Sequence, residues 1–271
     1  MPELPEVEVC RLGITPHILN KKVSDVIVRH KQLRWPIPDE VLTLKGQSVI
    51  AVERRSKYLL IKFHSGTLLI HLGMSGTIRV IEETVAPIKH DHFDLTFEHG
   101  KTLRLNDPRR FGAVLWFDQH IDQQGILTKL GPEPLSENFQ YGYLFSRAKN
   151  RKMPIKTFLM TNNIVVGVGN IYANEALFKA GILPTAQAGS ISEQRYNTLT
   201  DIIKTVLSEA ITQGGTTLKD FTQADGKPGY FAQKLMVYGR AGKKCLVCET
   251  ILEELRQNNR SSVFCPSCQS T

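Results

Sequence analysis

The sequence lacks several features that would place the chain in a simple class. No run approaches about 18 consecutive apolar residues, the length that a membrane-spanning helix needs. The first residues contain no cationic segment followed by an apolar one, so we expect no secretory signal peptide. Cysteine is scarce, with 5 in 271 residues, which excludes a disulfide-stabilised scaffold. Internal repeats and low-complexity tracts are missing too. From these absences we expect a cytoplasmic protein that does not bind membranes.

The composition is that of a chain with two ordinary domains and a polyanionic partner. With 41% hydrophobic and 22% charged residues, the chain can build real cores. Its 34 Lys and Arg against 26 Asp and Glu give a net charge of +8. Residues 136–271 hold 16 of the cations and 10 of the carboxylates, so most of the excess lies there. Residues 147–156 carry five cations and no carboxylate, which favours nucleic acid as the partner. A merely basic surface is the alternative.

The hydrophobic pattern predicts a short N-terminal helix followed by a β-rich region. Proline and glutamate near the start are typical of a helix N-terminus. Between residues 23 and 117, short β-rich runs alternate with turn residues, which favours an antiparallel sandwich or barrel. The predicted strands are Val26–Val28, Ser48–Val52, Tyr58–Phe63, Thr67–His71, Thr77–Ile81, Phe93–Phe97, Thr102–Leu105 and Ala113–Phe117.

The second half of the chain is predicted to be helical. Gly131–Pro134 interrupts the strand pattern, and we place a domain boundary there. The stretch from Ser190 to Glu193 fits a capping box at the start of an amphipathic helix. Gly214 and Gly215 would end that helix. Residues 216–234 are polar and contain glycine, which is typical of a functional loop. The whole pattern predicts an α+β fold.

Four of the five cysteines lie within the last 27 residues. Cys245 and Cys248 form one C-x2-C pair, and Cys265 and Cys268 form another sixteen residues later. Two such pairs have the spacing of a four-cysteine zinc site on a β-hairpin. Four protein ligands leave no position for water or substrate, so we expect one structural Zn²⁺. Reduced thiols or disulfides are the alternatives. Cys10 stands apart and is expected to be a packed or free thiol.

The amino terminus offers a nucleophile. Removal of Met1 would expose Pro2 as a secondary amine, and an α-amino group titrates at about 7.7–8.0 in model peptides. Such an amine can attack an electrophilic carbon and form an iminium. Glu3 and Glu6 beside it could move protons. An ordinary helix start is the alternative reading of these residues.

A glycine-containing turn at Val166–Tyr172 precedes an apolar helical segment. It is not a dinucleotide-binding fingerprint, because Tyr172 stands where the third glycine would be. Glycines at a helix N-terminus nevertheless let backbone N–H groups approach a phosphate. A tight turn between two packed helices explains the segment equally well.

Several motifs, in order, closely resemble those of the formamidopyrimidine-DNA glycosylases, bacterial enzymes that excise oxidised purines. The resemblance covers nearly the whole chain. It rests on Pro2–Glu8, Arg54–Tyr58, His71–Gly76, Lys89–His92, Asp107–Gly112, Leu130–Pro134, Gly167–Tyr172, Gly214–Asp220, Gln233–Gly239 and the four clustered cysteines. Endonuclease VIII relatives share the N-terminal proline, but Asp107–Phe111 and Gly226–Phe231 look like the purine-lesion branch.

The resemblance implies a bifunctional DNA glycosylase and abasic-site lyase. By this analogy the Pro2 amine attacks C1′ of a flipped nucleotide and forms a Schiff base. The other implied roles are proton donor and shuttle for Glu3, support for Glu6, β-elimination for Lys57, and phosphate binding with δ-elimination for Arg260. The zinc would be structural, and bond cleavage needs no further cofactor.

The resemblance also implies a DNA-binding architecture. An N-terminal β-sandwich at 1–130 would be followed by a helix-two-turn-helix domain at 131–234 and a zinc finger at 235–271, and residues 216–231 match a loop that closes over the extruded base. The implied DNA contacts are His71, Met74, His90, Arg109, Phe111, Arg151, Asn170 and Tyr238. Met74, Arg109 and Phe111 match residues that fill the space left by the flipped base. The expected partner is duplex DNA containing oxidised bases or abasic sites, bound by a monomer.

Two other functions stay open at this point. One is an endonuclease VIII-like lyase that acts on oxidised pyrimidines, and the other is a catalytically idle zinc-ribbon protein that senses damaged duplex. The chain departs from the usual family pattern at Val9 and Cys10, beyond the catalytic residues. It also has Asn258 and Asn259 before Arg260, which we expect to alter the tip of the zinc hairpin.

Overall fold

The computed structural model of the chain describes residues 2–118, 121, 125–214 and 235–271. These residues divide into two units, one with the described residues up to Thr128 together with 213 and 214, and the other with Lys129–Thr212 together with residues 235–271. The loop expected at 216–231 lies outside the described residues. Within the described ranges, no helix is long and apolar enough to cross a bilayer.

The first unit begins with a helix, continues with strands and ends with a short helix. Its elements are α1 (Leu4–Ile18), β1 (Val23–Val28), β2 (Ala51–Arg55), β3 (Tyr58–Phe63), β4 (Gly66–His71), β5 (Thr77–Glu82), β6 (Asp91–Phe97), β7 (Lys101–Asn106), β8 (Ala113–Phe117) and α2 (Gly125–Thr128). A 3-10 helix at Asp39–Leu44 lies between β1 and β2.

Helix α1 is held by one apolar face. Val7, Cys10, Ile14 and Ile18 recur at three- or four-residue spacing and are all buried in the core of this unit. That spacing places side chains on one side of a helix. Burying each such side chain contributes about 1.5–3 kcal/mol, so the core fixes the helix whose first turn carries the predicted catalytic residues.

The strands form two antiparallel four-stranded sheets, in the orders β1-β6-β7-β5 and β2-β3-β4-β8. Alternate residues of both sheets, among them Leu59, Ile61, Phe93 and Leu95, join one buried cluster. Two sheets that share a core in this way form a sandwich, so the predicted β-sandwich is confirmed. The second predicted strand, Ser48–Val52, was placed three residues too early.

The second unit is helical and ends in a hairpin. Its elements are α3 (Tyr143–Ala148), α4 (Ile155–Leu159), α5 (Asn170–Lys179), α6 (Glu193–Thr212), β9 (Glu253–Gln257) and β10 (Arg260–Phe264). Helix α5 packs against both α6 and β10. Helices in one unit and sheets with an N-terminal helix in the other confirm the α+β prediction.

The start of α6 differs from the prediction. Ser190 lies in a 3-10 helix, Ala188–Ser190, and α6 begins at Glu193. The Oγ of Ser192 accepts the backbone N–H of Arg195 at 3.4 Å, which is the contact of an N-cap residue. Two serines precede the helix, and the one nearer to the apolar face forms the cap. The predicted end is correct, because the helix stops at Thr212 and Gly214 has φ +79°.

The β9–β10 hairpin turns at two asparagines. Asn258 and Asn259 have φ of +48° and +60°, and Gln257 pairs with Arg260 across the turn. Positive φ at both central residues defines the tight turn that suits twisted strands, and asparagine tolerates that conformation. The tip therefore forms without glycine, and Arg260 begins the return strand.

Candidate functional site

The predicted nucleophile and its two carboxylates lie at the start of α1. Pro2 is buried, Glu3 caps the helix, and Glu6 is the third helical residue. The Glu3 backbone N–H donates to Glu6 Oε2 at 2.8 Å, and the Glu6 backbone N–H faces the Glu3 side chain, which makes a capping box. Both carboxylates are almost fully buried, at 2% and 0% exposure. Helix capping thus holds two acid groups next to Pro2.

Lys57 lies in the two-residue turn between β2 and β3. The turn is anchored by Arg54, whose Nη1 donates to the Ser56 carbonyl at 2.8 Å and whose Nε donates to Glu8 at 2.8 Å. Arg11 also donates to Glu8, at 2.6 Å. Burial acts to raise the pKa of Glu8, but the hydrogen bonds and charges of the two arginines hold that pKa below its ordinary value. Glu8 therefore links α1 to the turn that carries Lys57.

His71 ends strand β4 and is neutral at physiological pH. Burial, together with the charges of Arg34 and Lys57, lowers the pKa of His71 to about 4. The Gly73 backbone N–H donates to His71 Nδ1 at 3.2 Å. Because Nδ1 accepts, the ring proton is on Nε2, which leaves one hydrogen-bond donor for a ligand such as a phosphate.

The three predicted void-filling residues are exposed on the same unit. Met74 is 38% and Phe111 46% exposed. The Arg109 guanidinium lies 5.0 Å from the centroid of the Phe111 ring, so these two side chains stack on each other. Gly73 makes the close packing of the two loops feasible, because a Cβ there would be 2.4 Å from the Phe111 carbonyl carbon. Three large side chains outside the core are available for insertion into a duplex.

His90 directly precedes β6 and has a left-handed conformation, with φ +73°. Its ring centroid is 6.1 Å from that of His92, whose own ring is 5.3 Å from that of His30. His92 Nε2 is 3.0 Å from the Asp107 carbonyl, and burial lowers the pKa of His92. The histidines are therefore part of the hydrogen-bonded end of the sheet.

Arg151 and Asn170 belong to the second unit. Arg151 is exposed just before α4. Asn170 is the first residue of α5, and its N-cap is Gly169. Among the described residues, Asn170 Oδ1 is one of the few buried side-chain atoms without a hydrogen-bond partner. Helix N-termini attract anions, so a phosphate site at the glycine turn and the start of α5 stays a prediction.

Tyr238 is positioned by a carboxylate that the sequence reading missed. Glu175 on α5 accepts the backbone N–H groups of three successive residues, Met236 at 2.8 Å, Val237 at 3.0 Å and Tyr238 at 2.8 Å. Glu175 is 2% exposed. A glutamate beside an asparagine among the apolar residues of α5 was the signal in the sequence. Burial raises the pKa of this group, opposed by the three hydrogen bonds.

The Arg260 hairpin is anchored by a buried lysine. Lys156 belongs to the basic run at 147–156 that favours nucleic acid as the partner, but it is 1% exposed and so is not part of a basic surface. Its Nζ donates to the Ser261 carbonyl at 2.5 Å and to Ser262 Oγ at 2.7 Å. Asn174 Oδ1 accepts the Val263 N–H at 2.9 Å. Helices α4 and α5 thus hold strand β10, while the Arg260 side chain remains exposed.

The four clustered cysteines fit one metal ion. Their sulfur atoms all lie within 4.8 Å of one another, and three of the pairs are 3.3, 3.4 and 3.9 Å apart. Tetrahedral Zn²⁺ with Zn–S bonds of about 2.3 Å needs sulfur atoms about 3.8 Å apart. The set therefore suits one structural zinc that joins the ends of the β9–β10 segment. Cys10 is separate in the core of the first unit, where burial raises the pKa of its thiol to about 12.

The predicted site residues fall on both units. The first holds Pro2, Glu3, Glu6, Lys57, His71, Met74, His90, Arg109 and Phe111, and the second holds Arg151, Asn170, Tyr238, Arg260 and the four cysteines. The terminus with the predicted nucleophile thus belongs to the sandwich, and the glycine turn and zinc hairpin belong to the helical unit.

Comparison with known proteins agrees with this division. Family models match residues 1–114 as a formamidopyrimidine-DNA glycosylase N-terminal domain, residues 130–222 as the H2TH domain of the same enzymes, and residues 242–271 as a zinc finger found in FPG and IleRS. These three modules in one chain define the class of zinc-finger DNA glycosylases.

Relatives of known name narrow the class to one family. The chain is 72% identical over 269 residues to the formamidopyrimidine-DNA glycosylase of Colwellia psychrerythraea, covering 99% of each chain. It is 57% identical to that of Idiomarina loihiensis, covering 99% of this chain and 100% of the relative. The chain belongs to the formamidopyrimidine-DNA glycosylase family.

Solved structures show the same fold. The MutM (Fpg) protein of Thermus thermophilus superposes with a TM-score of 0.89 at 37% identity, covering 99% of this chain and 98% of that one. A MutM bound to DNA containing carbocyclic 8-oxo-G gives 0.91 at 29% identity, covering 100% of both chains. A Lactococcus lactis FPG mutant bound to Fapy-dG DNA gives the same score, identity and coverage.

Proposed function

We propose that this chain excises oxidised purines from duplex DNA and then cuts the strand at the abasic site it has made. The observation that carries the proposal is Pro2 at the start of α1 with two buried carboxylates, Glu3 and Glu6, in the same helical turn. Relatives solved with 8-oxo-G, Fapy-dG and abasic-site DNA support the substrate class.

Base excision begins at the amine of Pro2 once Met1 has been removed. An amine with a pKa near 8 is partly unprotonated in a cell, so its lone pair can attack C1′ of the flipped nucleotide. The bond between C1′ and the base breaks, and the departing base takes a proton from Glu3. Glu3 then takes the proton of the Pro2 nitrogen and passes it to O4′ as the C1′–O4′ bond breaks, which opens the sugar ring and leaves an iminium between Pro2 and C1′.

Strand cleavage follows from the iminium, which acidifies the neighbouring C–H bond. A proton leaves C2′ and the C3′–O bond breaks, so the 3′ phosphate departs in β-elimination. A second proton leaves C4′ and the C5′–O bond breaks, so the 5′ phosphate departs in δ-elimination. Water hydrolyses the remaining imine and restores the amine. We assign the β step to Lys57, the δ step and phosphate binding to Arg260, and support of Glu3 to Glu6.

DNA binding is assigned to residues of both units. Met74, Arg109 and Phe111 fill the space that the extruded nucleotide leaves, which offsets part of the unstacking cost of a few kcal/mol. The remaining contacts, mostly to phosphates, are His71, His90, Arg151, Asn170 and Tyr238. We keep the division into a catalytic domain at 1–130, a helical domain at 131–234 and a zinc finger at 235–271, and we propose a cytoplasmic enzyme associated with the nucleoid through its DNA.

Borohydride trapping on a duplex with 8-oxoguanine opposite cytosine tests this function. We expect a covalent enzyme–DNA adduct, and peptide mass spectrometry should locate it on the N-terminal peptide beginning with Pro2. The P2G variant replaces the secondary amine with a primary amine on a flexible residue, so its adduct yield should fall strongly, whereas P5A, which changes another proline of the same turn, should keep the wild-type yield. Intact DNA binding by the wild-type chain without any adduct would contradict the proposal.

The lesion class needs a second comparison. The excision of 8-oxoguanine by the wild-type enzyme should be faster than that of an oxidised thymine in the same sequence context. The reverse order would contradict the assignment to oxidised purines while leaving the lyase chemistry intact.

A further inference from the structure

Asp107 is a fully buried carboxylate to which the proposed mechanism gives no role. It follows the last residue of β7 and is 0% exposed. It lies in the first unit at the root of the loop that carries Arg109 and Phe111. A carboxyl group so deeply buried is costly unless its oxygens are hydrogen-bonded. Its partners therefore show what the protein gains from keeping it.

The four polar groups of Asp107 bond to three segments of the chain. Its Oδ1 accepts the Ser75 hydroxyl at 3.0 Å, and its Oδ2 accepts the Gly112 backbone N–H at 2.7 Å. Its backbone N–H donates to the His90 carbonyl at 3.0 Å, and its carbonyl oxygen is 3.0 Å from His92 Nε2. Four groups of one residue thus tie together three loops.

Those three loops present most of the proposed DNA-contacting side chains of this unit; the exception is His71, which ends strand β4. Ser75 follows Met74, Gly112 follows Phe111, and His90 is itself a proposed contact. The loops also pack closely, because a Cβ on Gly112 would be 2.9 Å from Asp107 Oδ2 and one on Gly73 would be 2.4 Å from the Phe111 carbonyl carbon. The loops that carry the exposed side chains are therefore all hydrogen-bonded to one buried residue, Asp107.

We propose that Asp107 is a positioning residue that sets the mutual placement of the Met74 loop, the Arg109–Phe111 loop and His90, so that all three engage the duplex at once. The inference rests on the proposed DNA contacts and adds the residue that organises them. Asp107 touches neither substrate nor the reacting atoms. Its loss should impair base extrusion, because extrusion requires side chains that fill the space left in the duplex. The chemistry at Pro2 should change much less.

The structure predicts how substitutions of Asp107 differ. Alanine removes both acceptors, so the Ser75 hydroxyl and the Gly112 N–H lose their partner and the two loops become independent. Asparagine keeps the arrangement, because its Oδ1 can accept the Gly112 N–H while its Nδ2 donates to the Ser75 oxygen, which accepts as readily as it donates. D107N should therefore rescue most of what D107A loses.

The experiment compares two reactions in single-turnover conditions. One is excision of 8-oxoguanine opposite cytosine, which requires extrusion of a paired base, and the other is borohydride trapping on a preformed abasic site. D107A should lose about 100-fold in excision, the scale expected for an ångström-size misplacement, and lose much less in trapping. A surface control, D25A, removes an exposed aspartate paired with Lys45 and should match wild type in both reactions.

S75A provides an independent test that does not depend on D107A folding. It cuts only the link to the Met74 loop, so it should slow excision, and the double variant S75A/M74A should be no slower than M74A alone. Full additivity of the two changes overturns the inference. So does equal loss of excision and trapping in D107A, or failure of D107N to restore excision.

The proposed contacts can fail separately from Asp107. If M74A and F111A excise at wild-type rates, the void-filling assignment is wrong, and the inference built on it falls with it. If those two variants are slow while D107A behaves like D25A, the contacts stand and the role of Asp107 is overturned. A change in fluorescence of 2-aminopurine placed next to the lesion reports base extrusion directly in each variant.

Discussion

His71 makes the stability of the β-sandwich unit sensitive to mild acid. The pKa of this histidine is about 4 in the folded chain because of burial and nearby cations, whereas an unfolded histidine titrates at about 6.5. At pH 7 the ring is neutral in both states. As pH falls below 6.5 the unfolded chain takes up a proton that the folded chain refuses, so the free energy of unfolding falls until the pH reaches about 4.

The magnitude follows from the two pKa values. Between pH 7 and pH 5, proton uptake by the unfolded state alone should lower the free energy of unfolding by about 2 kcal/mol, and the full separation of the pKa values corresponds to about 3 kcal/mol. H71N removes the titration but keeps an acceptor for the Gly73 N–H, at the position of Nδ1. Between pH 7 and pH 5 the free energy of unfolding of H71N should therefore fall by about 2 kcal/mol less than that of the wild type.

Urea unfolding followed by tryptophan fluorescence measures this effect on the correct unit. The chain has two tryptophans, Trp35 and Trp116, and both lie in the first unit. H64N is the matched control, because His64 is exposed in the turn between β3 and β4 and its loss should leave the pH dependence as in wild type. If the pH profiles of H71N and wild type run parallel between pH 6.5 and 4.5, the assigned state of His71 is refuted.

Three further predictions test other parts of the structure. E175Q should destabilise the helical unit by about 2 kcal/mol, because an amide NH₂ would face a backbone N–H that bonds to a carboxylate oxygen in the wild type. The amide exchange rates of residues 236–238 should rise in this variant. Zinc removal, or C265S, should weaken DNA binding by about 10-fold or more, since the metal holds the hairpin that presents Arg260. G73A should lower the free energy of unfolding by about 2–4 kcal/mol, from positive φ and overlap with the neighbouring loop.

Each of these has an internal control. E209Q changes an exposed glutamate of α6 paired with Lys179. In this variant the amide exchange rates of residues 236–238 should be those of the wild type. G100A has a similar positive φ but nothing within 4 Å of the added Cβ, so its smaller loss isolates the conformational part of the G73A effect. DNA affinity that is the same in metal-free and zinc-loaded protein would falsify the role given to the zinc hairpin.

The strands were predictable because each apolar run packs locally into a sheet. Tyr58–Phe63 and Ala113–Phe117 have the predicted bounds, since each is an uninterrupted β-rich run bounded by turns. Ala51–Arg55 was shifted, because it ends in two arginines that carry no apolar signal and owes its strand conformation to pairing with β3. The bounds of this strand are therefore set by its pairing with β3, which the local sequence pattern does not report.

Buried charges were the part that the sequence could not locate. Lys156 looked like one more cation of a basic run, and only its contact with Ser261, 105 residues away, shows that it is inside. Glu175 and its backbone partners are 61 to 63 residues apart. Contacts at such separation depend on the tertiary arrangement and cannot be found in a local pattern. The zinc site could be predicted because the spacing of the cysteines in the sequence is itself typical of one.

The location of the cysteines allows two separate events, unfolding of the first unit and loss of zinc from the second, to be followed by thiol reactivity. Cys10, packed in the core of the sandwich with a pKa of about 12, reacts with a thiol reagent only when that unit unfolds, because the thiolate is the reactive form. The four zinc-site cysteines are shielded by metal instead and become reactive when it leaves. Mass-resolved alkylation of the unmodified enzyme would therefore count unfolding of one unit and metal loss from the other in a single sample, with no engineered label.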